Sequence, residues 1–142
     1  MQAADDFLHL FLARTAKELS RAFEDALAAA GGSGPTWRVL LALDGGEHRT
    51  QAELAEAVGV RQPTLTHHLD ALERAGLVVR ERDPGNRRAH QVSVTESGRQ
   101  LFLRLRRTAA AFDGRLRAGL GDADVAALRR TLAQLEENSR PD

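Results

Sequence analysis

Apolar side chains recur at helical spacing over most of this chain. Phe7, Leu8, Phe11, Leu12, Leu19, Phe23 and Leu27 fall largely three or four residues apart, so the stretch from about Asp5 to Ala30 reads as one long helix with a wide apolar stripe. Gly31, Gly32, Ser33, Gly34 and Pro35 end it. A short second helix carries Trp37, Leu40, Leu41 and Leu43, and the turn formers Asp44, Gly45 and Gly46 close it. Thr50-Gln51-Ala52-Glu53 has the spacing of a capping box and opens a third helix bearing Leu54, Ala55 and Val58. Gly59 supplies the turn after it. A fourth helix spans roughly Gln62 to Ala75, with Leu65, Leu69 and Leu72 as its buried edge and Gly76 where a left-handed cap belongs.

The period then shortens to two. Leu77-Val78-Val79-Arg80-Glu81-Arg82 and Ala89 to Val94 read as two strands, joined through the turn formers Asp83, Pro84, Gly85 and Asn86. The hairpin tip is basic, with Arg87 and Arg88. Thr95 is placed to cap the next helix, and Glu96 suits its positive end. That helix is long, with Leu101, Leu105, Ala109, Phe112 and Leu116 on one face. Gly119, Gly121 and Asp122 break it before a last helix carrying Val125, Leu128, Leu132 and Leu135. The expected fold is mostly α with a small β-hairpin wing: a winged helix-turn-helix joined to a helical lobe.

Composition narrows the function. The 142 residues include 42% apolar and 28% charged side chains, as in a globular protein. Cysteine is absent, which excludes disulfides, thiolate zinc sites and thiol catalysis. No apolar run approaches the roughly 20 residues that cross a bilayer, and Asp5 and Asp6 do not suit a secretory signal. No membrane association and a cytoplasmic location are therefore expected. The 20 basic and 20 acidic residues cancel overall but not locally. Residues 61–117 hold 12 basic against 6 acidic side chains, while both flanks are acidic. A basic zone of this kind can be a phosphate footprint.

The helix pair from Gln51 to Leu72, joined through Gly59, suits a helix-turn-helix, whose second helix stands proud enough to enter a DNA major groove. With Leu65 toward the core, His67 and Arg74 point outward, together with Pro63, Asp70 and Ala71. Arg61, Gln62, Thr64, Thr66 and His67 offer donors and acceptors at the first turns, where base edges are met. His68 lies nearer the core edge. Arg87 and Arg88 at the hairpin tip could reach the backbone or the minor groove. The DNA-facing candidates are thus Arg61, Gln62, Thr64, Thr66, His67, Arg74, Arg87 and Arg88.

These features together resemble the MarR family of winged-helix transcription regulators. The likeness runs from Trp37-Arg38-Val39-Leu40 through Leu54-Ala55 and Pro63-Thr64-Leu65-Thr66 to the stretch Leu69 to Val78. Arg82-Asp83-Pro84, Asn86-Arg87-Arg88 and the run Val92 to Gly98 complete it. The resemblance implies a homodimer in which residues 1–34 and 96–142 form a shared helical dimerisation lobe and residues 35–95 the winged DNA-binding domain. It also implies a palindromic double-stranded DNA site, and a repressor released by a small molecule. The family's effector crevice lies between lobe and winged module, where Phe11, Arg14, Trp37 and Arg38, with Leu41, would suit a small aromatic or anionic effector. Two positions depart from the family. Asn86 stands where an aspartate commonly aims the wing arginine, and Arg61 replaces a small hydroxyl cap.

The first, fifth and sixth helices independently call for a dimer. Their stripes are too wide for one small winged module to cover, and two copies could bury on the order of 2,000 Å². An enzyme is disfavoured: no nucleophile adjoins a base, and no glycine loop is shaped for phosphate. The five histidines lack metal-ligand spacing, so neither a metal nor a cofactor is expected. The alternative from another class is a winged-helix protein that binds other proteins and not DNA. The basic middle of the chain argues against it.

Overall fold

The long N-terminal apolar stripe forms helix α1 (Leu8–Ala29). The computed structural model describes residues 7–46, 49–83 and 85–142, and the side chains of Arg49, Asp83, Asn86, Arg87, Arg88 and Ala89 fall outside that description. The expected helix start at Asp5 lies outside the described residues. Helix α2 (Gly34–Leu43) follows, capped by Ser33, whose Oγ accepts from the Thr36 amide at 3.3 Å. Gly34 N donates to Glu24 Oε2 at 3.0 Å, which ties the start of α2 to α1.

Strand β1 (Arg49–Thr50) precedes α3 (Gln51–Val58), and α4 (Gln62–Arg74) completes the helix pair. Both turns behave as their glycines require: Gly59 and Gly76 have φ of 78° and 75°. The wing is β2 (Val78–Asp83) and β3 (Asn86–Val94), antiparallel, with Arg80 opposite Val92 and an irregularity between Arg82 and Asp83. The return strand therefore begins at Asn86, three residues before the expected Ala89.

The two-residue strand β1 was not expected. It pairs with β3 (Arg49 with Val92, Thr50 with Gln91), giving a three-stranded sheet in the order β1-β3-β2. It is too short to show any alternation in sequence. Thr50 does cap α3, its Oγ1 accepting from the Glu53 amide at 3.2 Å. The reciprocal half of the box differs from expectation. Glu53 Oε1 accepts from the Thr50 hydroxyl at 3.0 Å, so the carboxylate meets the cap's side chain.

Helices α5 (Glu96–Leu116) and α6 (Asp122–Asn138) complete the chain. Internal contacts divide it into two compact units, residues 1–109 and 110–142, with the boundary inside α5. The first unit holds the core: Leu27, Val39, Leu40, Leu43, Leu54, Leu65, Leu69, Leu72, Val78, Val92, Leu101, Phe102 and Leu105. No described residue of the second unit is fully buried, and Leu116, Leu120, Leu128 and Leu132 are exposed there. The N-terminal part of α1 likewise exposes Phe7, Leu8, Leu10 and Phe11.

Candidate nucleic-acid interface

Helix α4 is pinned by one edge and free on the other. Leu65 and Leu69 are fully buried and Leu72 is 4% exposed, which fixes the helix's rotation. Arg61, Gln62, Thr64, His67 and Arg74 are all exposed as a result. Arg61 occupies the N-cap without making a side-chain capping bond. The first turn of α4 thus has no side-chain cap and an exposed guanidinium beside it, an arrangement suited to an anionic backbone.

Thr66 sits differently from its neighbours. It is half-buried, and its Oγ1 accepts from Gln51 Nε2 of α3 at 3.3 Å. This bond spans the two helices of the pair. Arg74 Nε donates to its own helix's Asp70 carbonyl at 3.3 Å.

His68 is half-buried beside the open face, as its place near the core edge implied. Its Nδ1 is buried without a hydrogen-bond partner among the described residues. Burial first, then the neighbouring His67 and Arg38, holds its pKa below the ordinary histidine value. It therefore favours the neutral form.

The wing's attachment was the main feature missed in sequence. Arg80 of β2 points inward, and its side chain is 19% exposed. Its Nη2 meets Asp70 Oδ1 at 2.6 Å and Glu73 Oε1 at 3.3 Å, both on α4. The Arg80 amide also donates to Glu73 Oε2 at 2.9 Å. Hydrogen bonds from Arg80 hold the Glu73 pKa below its usual range. Asp70, expected among the outward residues, is turned into this contact. The signal was present: Val78 and Arg80 share one face of a period-two strand, so a buried Val78 forces Arg80 inward toward carboxylates spaced three apart.

Thr95 forms a second joint. Its Oγ1 accepts from the Gly98 amide at 3.1 Å, which caps α5 as expected. The same hydroxyl donates to Gly76 O at 2.6 Å, and Thr95 N donates to Leu77 O at 3.1 Å. The end of α4 and the start of α5 are thereby bolted together. The backbones of Arg87 and Arg88 belong to β3, whereas their side chains, like that of Asn86, lie outside the described residues.

Within one protomer, the residues proposed for an effector are placed as follows. Arg14 lies over the Phe11 ring, its guanidinium carbon 5.7 Å from the centroid. Trp37 stacks on Phe102 at 5.7 Å and 17° between planes, a packing role. Arg38 lines a groove of about 340 Å³ with Leu41, Ala42, Asp44, Ala57 and Val58. A larger cavity, about 560 Å³, lies between the end of α2 and the start of α5. Leu40, Leu43, Val94 and Phe102 give it apolar walls, and Asp44, Glu96 and Arg99 supply charge. No cluster of three or more metal-binding side chains occurs among the described residues.

A helix pair with a proud second helix, flanked by a hairpin, defines a winged-helix protein. A family model described as the MarR family matches residues 31–89. Among solved structures, the chain is similar to the transcriptional repressor CouR bound to a 23-mer DNA duplex, with 32% identity, 93% and 94% of the two chains covered, and a TM-score of 0.84. It is also similar to a MarR-family transcriptional regulator from Rhodococcus sp. RHA1, with 31% identity, 95% and 96% covered, and a TM-score of 0.79. CouR from Rhodococcus jostii RHA1 bound to p-coumaroyl-CoA matches at 29% identity over the whole of both chains, with a TM-score of 0.79. The chain belongs to the MarR family of winged-helix transcriptional regulators.

Proposed function

We propose that this protein is a homodimeric repressor that occupies a palindromic duplex DNA site and leaves it when a small effector binds. The observation that carries the reading is the rotation of α4. Its buried leucines turn Arg61, Gln62, Thr64 and His67 together toward solvent, where a major groove can receive them. Thr66 contributes mainly by holding α4 against α3, and Arg74 contacts phosphate from the far end. Arg87 and Arg88 serve the wing. The similarity to CouR on a 23-mer duplex supports this use of the fold.

Dimerisation follows from the exposed apolar residues of α1 and α6, which residues 1–34 and 96–142 would bury between protomers. The protein acts by occupancy and not by catalysis. Among the described residues no helix is long and apolar enough to cross a membrane, which is compatible with work in the cytoplasm. The effector is a small aromatic or anionic molecule, a reading supported by the similarity to CouR bound to p-coumaroyl-CoA. It would be held either by Phe11, Arg14, Trp37 and Arg38 at a dimer crevice or by the cavity beside Arg99.

The test is fluorescence anisotropy of labelled duplexes, titrated with protein across a salt series. Binding should fall steeply and linearly on a logarithmic plot as counterions are released. Absence of binding to every duplex in dilute buffer would overturn the proposal.

A further inference from the structure

We infer that Arg80 is a positioning residue for DNA recognition: its guanidinium locks the wing to the reading helix at a fixed angle. The inference rests on the DNA-binding reading above. A winged helix touches DNA with two separate elements, and both must meet their grooves at once. Here those elements are α4 and the β2–β3 hairpin. The link between them is short, and Arg80 closes it into a rigid corner.

Three contacts make that corner. One nitrogen, Nη2, reaches Asp70 Oδ1 at 2.6 Å and Glu73 Oε1 at 3.3 Å. Glu73 Oε2 accepts from the Arg80 amide at 2.9 Å. Because β2 is an edge strand in the order β1-β3-β2, this last bond also occupies an amide on the sheet's open edge. The contact spans strand backbone, strand side chain and two helix positions one turn apart. Sliding or tilting the wing against α4 would break all three bonds together.

Stability alone does not account for the arrangement. Asp70 and Glu73 are 48% and 41% exposed, and ion pairs that open to solvent add little to folding. What the cluster supplies is geometry, since two bonds from one guanidinium nitrogen and a third from the main chain fix direction as well as distance. A rival role is charge masking. Two carboxylates on a DNA-facing helix repel phosphate, and Arg80 offsets one of their two charges. The two roles predict opposite outcomes when the carboxylates themselves are removed.

The experiment measures affinity of the full-length dimer for a duplex that the wild type binds, using Asp70→Asn/Glu73→Gln, Arg80→Met and Arg80→Lys, with Arg88→Ala added to each background. Positioning predicts that Asp70→Asn/Glu73→Gln weakens binding by about fivefold or more, although it removes negative charge. It predicts the same for Arg80→Met, with partial recovery in Arg80→Lys. It also predicts that Arg88→Ala, costly in the wild type, becomes nearly silent in Arg80→Met, because a displaced wing has no contact left to lose. Tighter binding by Asp70→Asn/Glu73→Gln, or a full additive cost of Arg88→Ala in every background, overturns the inference. The carboxylate variant keeps the test decisive even if Arg80→Met does not fold. A wild type that binds no duplex sinks the DNA-binding reading itself, whereas a binding wild type with unaffected variants sinks only the role of Arg80.

Discussion

Replacing Thr95 with valine should loosen the joint between the reading helix and α5 while leaving its shape intact. Valine keeps the side-chain outline and the main-chain bond from residue 95 to Leu77 O. It removes two hydroxyl bonds: the one to Gly76 O at 2.6 Å and the one from the Gly98 amide at 3.1 Å. Loss of a threonine N-cap costs about 1 kcal/mol. Loss of a second, partly solvated hydrogen bond costs about 0.5–1 kcal/mol. The sum, about 1.5–2 kcal/mol, corresponds to a fall in melting temperature of about 5 °C for a chain of this size. Urea unfolding at one fixed protomer concentration, required because a dimer's stability varies with concentration, measures it. Gly98→Ala provides a calibration at the same joint. A Cβ at residue 98 would collide with the Leu77 carbonyl oxygen and lie 2.8 Å from Val94 Cγ1. Backbone has to move there, so this variant should lose more than Thr95→Val. A Thr95→Val change below about 0.5 kcal/mol, the range of ordinary surface substitutions, would refute the reasoning.

Other outcomes follow from the same geometry. Leu65→Ala empties a fully buried position on α4 and should cost about 2–5 kcal/mol in urea unfolding. His67→Ala should relax base preference at one position by about 1–3 kcal/mol, read from affinities for single-base variants of a bound duplex; a uniform loss across all variants would assign His67 to phosphate. His68 is held below its ordinary pKa of 6.5, so its contribution to stability is full above that pH and is lost as pH falls through the lowered value. Thermal melts of His68→Leu should therefore depend less on pH below about 6.5 than those of the wild type. For a molecule shown to release the DNA, Arg99→Ala should abolish release if the 560 Å³ cavity is its seat, and Arg38→Ala should do so if the crevice is.

Much of this architecture is written in spacing. Leu65, Leu69 and Leu72 set the rotation of α4, and that rotation fixes which residues face outward. Gly59, Gly76, Thr50 and Thr95 mark turns and caps because few residue types satisfy those backbones. Strand β1 was illegible because two residues carry no period, and it exists only through its partner β3. The Arg80 cluster escaped for a different reason. Charges in a sequence look solvated until the strand's facing is followed one residue beyond its buried valine. Thr66 shows the reverse limit: a polar residue at a reading position is claimed by Gln51, a partner fifteen residues earlier in the chain. Trp37 stacks on Phe102, a partner on a helix far along the chain that spacing alone does not reveal.

The central claim is that paired protomers read duplex DNA through two copies of α4. Selection of bound fragments from a random duplex pool, followed by sequencing, tests it most directly. The account predicts enrichment of an inverted repeat whose half-site centres lie about one helical turn, roughly 10 base pairs, apart, with two protomers on each duplex. Enrichment of an asymmetric site held by one protomer, or no enrichment at all, would contradict it.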